Sequence, residues 1–136
     1  MPPLTIRLTS VYEWPDRYTL LHRLLCERDD GVSISHKAEP EWDAHVGFVD
    51  SKPYRDWSFI DNEPKGAIYL SKQNEIGIFL FKEFRGFGIG PKAIRAMMDR
   101  HGPRRYLANI NPHNERSIAM FAKLGFTLCQ HTYERL

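Results

Sequence analysis

The most constraining feature of the sequence is a cluster of glycines between an apolar run and a segment with helical spacing. Residues 76–81 form a short run rich in Ile and Phe, which is typical of a buried strand. After three further residues the chain reads Arg85-Gly86-Phe87-Gly88-Ile89-Gly90, and residues 91–100 carry apolar side chains at helical spacing. Glycines between a strand and a helix leave backbone N–H groups free at the helix N-terminus, where the helix dipole favours an anion. The sequence therefore predicts that this loop binds a phosphate or pyrophosphate.

Two common phosphate-binding loops do not match this segment. A P-loop ends in Gly-Lys-Ser/Thr, whereas Gly90 is followed by Pro91-Lys92-Ala93. A dinucleotide fingerprint that begins at Gly86 requires glycine or alanine at position 91 and belongs early in a parallel sheet, not after antiparallel hairpins. The P-loop is therefore excluded, and the dinucleotide fingerprint is a poor match.

The spacing Arg85-x-x-Gly88-x-Gly90 resembles the Arg/Gln-x-x-Gly-x-Gly/Ala signature of the GNAT superfamily of N-acetyltransferases. A second motif, at residues 111–126, is similar to the family's downstream pattern Asn-x-x-Ser/Ala-x-x-Leu/Met-Tyr/Phe-x-Lys-x-Gly-Phe. The motifs cover the chain from Glu75 to Phe126, and residues 1–56 resemble the family only in the order of their elements. The resemblance implies an acetyltransferase enzyme with acetyl-coenzyme A as its co-substrate and without a metal ion.

Periodicity and turn signals divide the chain into alternating strands and helices within a single domain, residues 1–136. They predict strands at 4–8, 57–60, 67–70, 76–81, 106–110 and 126–133. They predict helices at 15–28, from 39 up to a limit at 53, at 91–100 and at 114–124. This order indicates an α+β (mixed α/β) domain. The resemblance implies a GNAT-like, mostly antiparallel sheet of six to seven strands flanked by about four helices.

Composition limits the classes of partner. The chain has 136 residues with 19 Lys and Arg against 17 Asp and Glu, and these charges are scattered, which argues against nucleic acid as a partner. No apolar run approaches the length of a membrane span and the N-terminus has no leader pattern, so we expect a cytoplasmic protein without a membrane partner. Cys26 and Cys129 have neither zinc nor thioredoxin spacing and are expected to be ordinary core thiols, with one long-range disulfide as the alternative. We expect a monomer or homodimer.

The resemblance also assigns a set of coenzyme-binding residues. The apolar strand would offer backbone groups to the pantetheine arm, the glycine loop would hold the pyrophosphate, and the second motif would contact the pantetheine region. Pro91 departs from many family members and should cost one phosphate hydrogen bond, because proline has no N–H. The expected coenzyme-binding residues are Phe79, Leu80, Phe81, Arg85, Gly86, Phe87, Gly88, Ile89, Gly90, Asn111, Asn114, Ser117 and Phe121.

Transfer of an acetyl group to an amine requires a neutral amine, a polarised carbonyl and an exit for the thiolate. Glu75, at the start of the apolar strand, is the candidate general base acting through water; the alternative is an ordinary charged residue at a strand entrance. A backbone N–H near Leu80 or Phe81 is the candidate for polarising the carbonyl.

The thiolate poses a separate question, because many family members have a proton-donating tyrosine where this chain has Phe121. Either another group protonates the thiolate, with Tyr133, Tyr69 and His113 as candidates, or the thiolate leaves without an acid. We hypothesise the second, because a thiolate is a good leaving group.

The acceptor amine is the part of the reaction about which the sequence says least. Trp42, Phe48, Tyr54, Trp57 and Phe59 could line an acceptor pocket or simply fill the core. The segment from Ser35 to Ile60 is loosely similar to the amino-sugar N-acetyltransferases and to relatives that acetylate protein N-termini. We therefore expect a small-molecule or sugar-nucleotide amine as acceptor. The alternatives are an amine of a protein, at its N-terminus or on a side chain, and a non-catalytic acyl-CoA-binding module.

Overall fold

A computed structural model describes residues 5–28 and 41–136 as an antiparallel sheet between two pairs of helices. Two short 3-10 helices lie at Val11–Glu13 and Lys82–Phe84. The strands are β1 (Leu8–Ser10), β2 (Asp56–Ile60), β3 (Gly66–Leu70) and β4 (Ile76–Leu80). The helices are α1 (Arg17–Cys26), α2 (Trp42–Asp50), α3 (Ile89–His101) and α4 (Glu115–Lys123). The predicted α+β class and the number of helices are confirmed.

The sheet has the strand order β1-β2-β3-β4, and every neighbouring pair is antiparallel. Successive side chains of a strand point to opposite faces, and both faces are covered. On one face Ile68, Leu70 and Ile76 pack with side chains of α3 and α4. On the other, Ala67 and Phe59 pack with side chains of α1 and α2. The layers are therefore helices, sheet and helices, with β4 at one edge of the sheet.

Two predicted strands are wrong. Residues 106–110 form only an isolated parallel bridge from Leu107 to Glu75 and then leave β4. Residues 126–133 do not pair, and the side chains of Leu128 and Tyr133 are 76% and 88% exposed. Strand propensity alone does not form a strand: residues 108–110 diverge from β4 after the bridge at Leu107, and no described strand pairs with residues 126–133. The described sheet has four strands instead of the six to seven expected.

The remaining elements match with shifted boundaries. Helix α3 begins at Ile89, two residues before the predicted start, because Gly88 adopts a left-handed conformation with φ 77° and caps it. The first strand begins at Leu8, whereas the sequence predicted a start at Leu4. Leu4 lies outside the described residues, and so do the predicted helix start at Glu39-Pro40 and the predicted turn at Asp29-Asp30-Gly31. Among the helices that the structure describes, none combines the length and apolar character required to cross a bilayer. The prediction that Cys26 and Cys129 are core thiols is wrong, because both are exposed, and they do not form a disulfide.

Candidate active site

A cleft begins where β4 separates from the segment that follows α3. At its closed end the Ile76 N–H donates to the Leu107 carbonyl at 2.8 Å, and the Leu107 N–H donates to the Asn74 carbonyl at 2.9 Å. Beyond this pair no backbone hydrogen bond joins β4 to residues 108–111. The outer edge of β4 is therefore open over about 13 Å from Ile76 to Leu80, at roughly 3.3 Å per residue.

In an antiparallel sheet, the N–H groups of successive residues point alternately to the two sides of a strand. This alternation decides which N–H groups of β4 face the cleft. The Ile76 N–H faces outward to Leu107, so the N–H groups of Ile78 and Leu80 face outward as well. The Phe81 N–H instead donates to the Lys65 carbonyl at 3.0 Å, on the β3 side. Of the two carbonyl-polarising donors predicted from sequence, Leu80 therefore lies at the cleft and Phe81 does not. The Ile78 donor was missed, and the strand pairing is the signal that identifies it.

The glycine loop lies beyond the C-terminal end of β4 and leads into α3. Gly86 and Gly88 have φ values of 85° and 77°, which side chains disfavour. None of the N–H groups from Gly86 to Gly90 donates to another described residue. Pro91 is the third residue of α3, so Gly88, Ile89 and Gly90 supply the N–H groups at the helix N-terminus. The loop thus presents free donors together with the positive end of the helix dipole.

Arg85 holds this loop in place. Its Nε donates to the Leu80 carbonyl at 3.1 Å and its Nη2 donates to the Glu27 carbonyl at 2.9 Å, at the end of α1. The Glu27 carboxylate accepts from the Lys82 N–H at 2.9 Å and from Arg23 Nε at 2.6 Å. Burial opposes ionisation of Glu27, but these hydrogen bonds outweigh it and hold its pKa below the ordinary value. The structure gives Arg85 a positioning contact, where the sequence predicted a coenzyme contact.

Glu75 lies at the closed end of the cleft with both carboxylate oxygens hydrogen-bonded. Ser71 Oγ donates to Oε1 at 3.2 Å, and Asn109 Nδ2 donates to Oε2. Ser71 Oγ also accepts from the Glu75 N–H at 2.9 Å. Asn109 belongs to the segment that leaves β4, so the carboxylate is fixed between the two walls of the cleft. A carboxylate has further lone pairs for a water molecule, which suits a base that acts through water.

Tyr69 of β3 extends over Gly77 of β4, its partner in the register. A Cβ at position 77 would lie 2.2 Å from Cε2 and Cζ of the Tyr69 ring and 2.4 Å from its hydroxyl oxygen. Burial raises the pKa of Tyr69, and the nearby Glu75 carboxylate adds to the shift. The Tyr69 hydroxyl is therefore protonated near neutral pH and lies over the edge of the sheet at which the cleft opens.

The five aromatic residues considered for an acceptor pocket separate into different environments. Phe59 is fully buried in the core, and Trp42 packs against His22 and His45. The other three lie together with Tyr69. The ring of Tyr54 stacks on that of Tyr69 with centroids 3.9 Å apart, and Trp57 packs edge-on against Tyr54 with centroids 4.9 Å apart. The centroid of the Phe48 ring lies 6.0 Å from those of both Tyr54 and Trp57. An aromatic wall of Phe48, Tyr54, Trp57 and Tyr69 therefore stands beside Glu75.

The second motif forms the turn before α4 and the helix itself. Asn111 Oδ1 accepts from the His113 N–H at 2.9 Å, and Asn114 Oδ1 accepts from the Ser117 N–H at 3.2 Å, which caps α4. Phe121 is 5% exposed and packs edge-on against Phe126 at 5.0 Å. Met120 approaches the glycine loop, since a Cβ on Gly90 would lie 2.9 Å from its Sδ. Helix α4 thus packs on the start of α3, and the Phe121 ring is part of the core.

Tyr133 is not brought to this cleft by any described contact. Its ring is exposed and stacks on His131 at 6.2 Å. Two surface depressions lie elsewhere, around Arg7 and Asn62, and contain none of the predicted site residues. Within residues 5–28 and 41–136, no three His, Cys, Asp or Glu side chains are grouped to hold a metal ion.

An α+β fold with an open strand edge and a loop of free amides at a helix N-terminus is suited to a protein that binds an extended, phosphate-bearing cofactor. The family model described as acetyltransferase (GNAT) domain matches residues 5–127. The chain belongs to this family of acetyl-CoA-dependent N-acetyltransferases.

Solved structures agree with this fold. A domain from Methanocaldococcus jannaschii has a TM-score of 0.77 and 23% identity, covering 95% of this chain and 91% of that one. The protein yncA from Salmonella typhimurium, solved with acetyl-CoA, has a TM-score of 0.65 and 16% identity, covering 90% and 79%. An acetyl transferase from Salmonella typhimurium that modifies the N-terminal serine of ribosomal protein L7/L12 has a TM-score of 0.66 and 22% identity, covering 90% and 81%. No sequence among curated proteins matches the chain significantly.

Proposed function

We propose that this chain transfers the acetyl group of acetyl-CoA to the primary amine of a small molecule or sugar nucleotide, by direct attack of the amine. The observation that carries the proposal is the unpaired edge of β4 running from the Glu75 carboxylate towards the free amides of Gly86 to Gly90. An extended acyl-pantetheine arm can add to such an edge as a peptide strand does. Its thioester would lie towards Glu75 and its pyrophosphate at the loop.

The coenzyme would be held mainly by the backbone. The N–H groups of Gly88, Ile89 and Gly90 would donate to the pyrophosphate, with those of Gly86 and Phe87 beside them. The N–H groups of Ile78 and Leu80, on either side of Phe79, face the cleft. They would donate to the pantetheine arm or to the thioester carbonyl. Asn111, Asn114 and Ser117 would border the same arm from the turn before α4. Phe81, Arg85 and Phe121 would support this site from positions already occupied by internal contacts.

Chemistry would begin at the acceptor amine. Its lone pair attacks the thioester carbon, a backbone N–H of β4 stabilises the oxyanion, and a water molecule passes the amine proton to Glu75. The C–S bond then breaks and sulfur keeps the electron pair. The buried Phe121 has no proton to give, and Tyr133 lies on the exposed C-terminal segment. Because a thiolate is a good leaving group, we propose that it leaves without a dedicated acid, with Tyr69 and His113 as the alternative proton donors.

The aromatic wall favours a small acceptor with a planar or apolar part, because such groups pack on exposed ring faces and edges. A protein N-terminus is the second candidate. It is favoured by the similarity in fold to the Salmonella typhimurium enzyme that modifies a ribosomal protein. The two acceptors differ in size, so a panel of amines separates them.

The test is a free-thiol assay with acetyl-CoA against small amines, amino-sugar nucleotides and peptides, together with calorimetric binding of acetyl-CoA. Gly88→Glu should abolish binding, because a carboxylate at the loop repels pyrophosphate. Gly102→Glu is the matched control: Gly102 also has a positive φ, 76°, but lies at the other end of α3. The backbone strain is greater at Gly102, because its ψ of −171° lies outside the left-handed helical region that Gly88 occupies with ψ 11°. Normal acetyl-CoA binding by Gly102→Glu is expected and would show that backbone strain alone does not abolish binding.

Equal binding by wild type and Gly88→Glu would show that the loop does not hold the phosphates. Binding without thiol release for every acceptor would instead support a non-catalytic acyl-CoA-binding module. Turnover with peptides but not with small amines would favour a protein N-terminus as the acceptor.

A further inference from the structure

We propose that the Tyr69 hydroxyl contacts the attacking amine and orients it towards the thioester. This inference rests on the proposed function, since it assigns a further residue to the acceptor side of the same site. It gives Tyr69 a role distinct from that of the tyrosine missing at position 121, which would act on the leaving sulfur.

The position of the hydroxyl supports this role. A Cβ on Gly77 would be 2.4 Å from the hydroxyl oxygen, so that oxygen lies within roughly 4 Å of the Gly77 α-carbon. Gly77 directly precedes Ile78, whose N–H faces the cleft. Glu75 is two residues before Gly77, at the entrance to β4. The two residues are therefore about 7 Å apart along the strand. The hydroxyl therefore lies between the candidate base and the outward-facing donors.

The hydroxyl also lacks a partner. Tyr69 is only partly exposed, and neither its hydroxyl nor that of Tyr54 makes a hydrogen bond to any residue in 5–28 or 41–136. The Tyr69 oxygen is the one placed beside Gly77, at the cleft. By contrast, the Tyr12, Tyr18 and Tyr106 hydroxyls each donate to a described oxygen atom. Partly buried hydroxyls are usually paired, so a free one beside a cleft is suited to a substrate.

The ring is held firmly while its hydroxyl stays free. Tyr54 stacks on it with planes 7° apart, and Gly77 leaves space for it on the other strand. The hydroxyl oxygen can accept one N–H of a neutral amine, which leaves the nitrogen lone pair directed at the thioester carbon. As the C–N bond forms and the C–S bond breaks, the second amine proton passes through water to Glu75, and sulfur takes the electron pair.

Tyr69→Phe tests this inference, because it removes one oxygen atom and keeps the stacked ring. We expect kcat/KM for the acceptor to fall about tenfold, the loss typical of one hydrogen bond. The dissociation constant of acetyl-CoA, the melting temperature and the acid limb of the pH–rate profile should stay unchanged. Tyr133→Phe is the control, since it removes a hydroxyl from an exposed tyrosine that no described contact brings to the cleft, and it should keep full activity.

The outcomes are distinct. Full activity of Tyr69→Phe beside an active wild type would overturn this inference and leave the proposed function standing. An equal loss in Tyr133→Phe, or a weaker affinity for acetyl-CoA in Tyr69→Phe, would also overturn it, because the loss would then not be specific to the acceptor side of the site. A wild type that transfers no acetyl group to any amine would overturn the proposed function itself.

Discussion

The ring of Tyr69 occupies the space that a side chain at position 77 would need. A Cβ on Gly77 would lie 2.2 Å from two ring carbon atoms, much closer than van der Waals contact. The contact joins β3 to the edge strand and directs the phenol towards the cleft. A single glycine on β4 therefore permits the arrangement of the aromatic wall beside Glu75.

Gly77→Ala should destabilise the protein by about 1–3 kcal/mol, because the added methyl group displaces the Tyr69 ring from its stack with Tyr54. Urea unfolding measures the change. Gly47→Ala is the control: Gly47 lies in α2, and a Cβ added there would have no neighbouring atom within 4 Å, so alanine should stabilise the helix by roughly 0.5–1 kcal/mol. A neutral Gly77→Ala would mean that the ring moves aside freely.

Arg85→Lys should weaken both the fold and coenzyme binding. The guanidinium donates at once to the Leu80 and Glu27 carbonyls, a geometry that one ammonium group cannot reproduce. We expect a loss of about 1–2 kcal/mol in unfolding free energy. Acetyl-CoA should bind more weakly, because the loop loses its anchor. Weaker binding with an unchanged melting temperature would instead indicate a direct contact between Arg85 and the phosphates.

The sequence predicts the glycine loop and α3 well because their signals are local. Positive φ at Gly86 and Gly88, and the helix start beside them, depend on neighbouring residues. The outward N–H of Ile78 and the contact of Tyr69 with Gly77 depend on the register between two strands, which a single sequence does not specify. The strands predicted at residues 106–110 and 126–133 are wrong for a related reason. Strand propensity describes how a residue packs in a sheet and does not reveal whether the backbone follows a neighbouring edge closely enough to pair with it.

Asp56 should make the stability depend on acid pH. Burial would raise its pKa, but hydrogen bonds from His101 at 2.8 Å, Ser58 at 2.7 Å and Arg100 at 3.0 Å outweigh burial and lower the pKa. Its stabilising contribution is therefore present above the ordinary carboxyl pKa of 3.8 and is lost as the pH falls through the lower folded value.

Asp56→Asn should accordingly cost about 2 kcal/mol at pH 7 and progressively less below pH 4. Chemical denaturation of both proteins at several pH values measures the difference. Asp99→Asn, on the exposed face of α3, should have no effect at any pH. A cost for Asp56→Asn that does not shrink in acid would rule out the ionised carboxylate as its source.

Phe121→Tyr should not restore a catalytic acid. The ring is 5% exposed and packs on Phe126, so an added hydroxyl would be buried in the core. We expect turnover to rise by far less than the ~10²-fold that a positioned acid can supply. The unfolding free energy should fall by about 1–3 kcal/mol, the cost of an unpaired hydroxyl. A large increase in kcat would contradict the hypothesis that the thiolate leaves unaided.

Glu75→Gln tests the base. Glutamine keeps the shape of the side chain and can still accept from Asn109, so the closed end of the cleft should remain intact. We expect kcat to fall by about 10²–10⁴-fold and the acid limb of the pH–rate profile to disappear, because an amide does not take a proton from the amine. Glu83→Gln, which removes only an exposed ion pair with Arg23, is the control and should keep wild-type kinetics. A Glu75→Gln variant with normal turnover and an unchanged pH profile would make Glu75 an ordinary residue at a strand entrance and would assign proton removal to solvent.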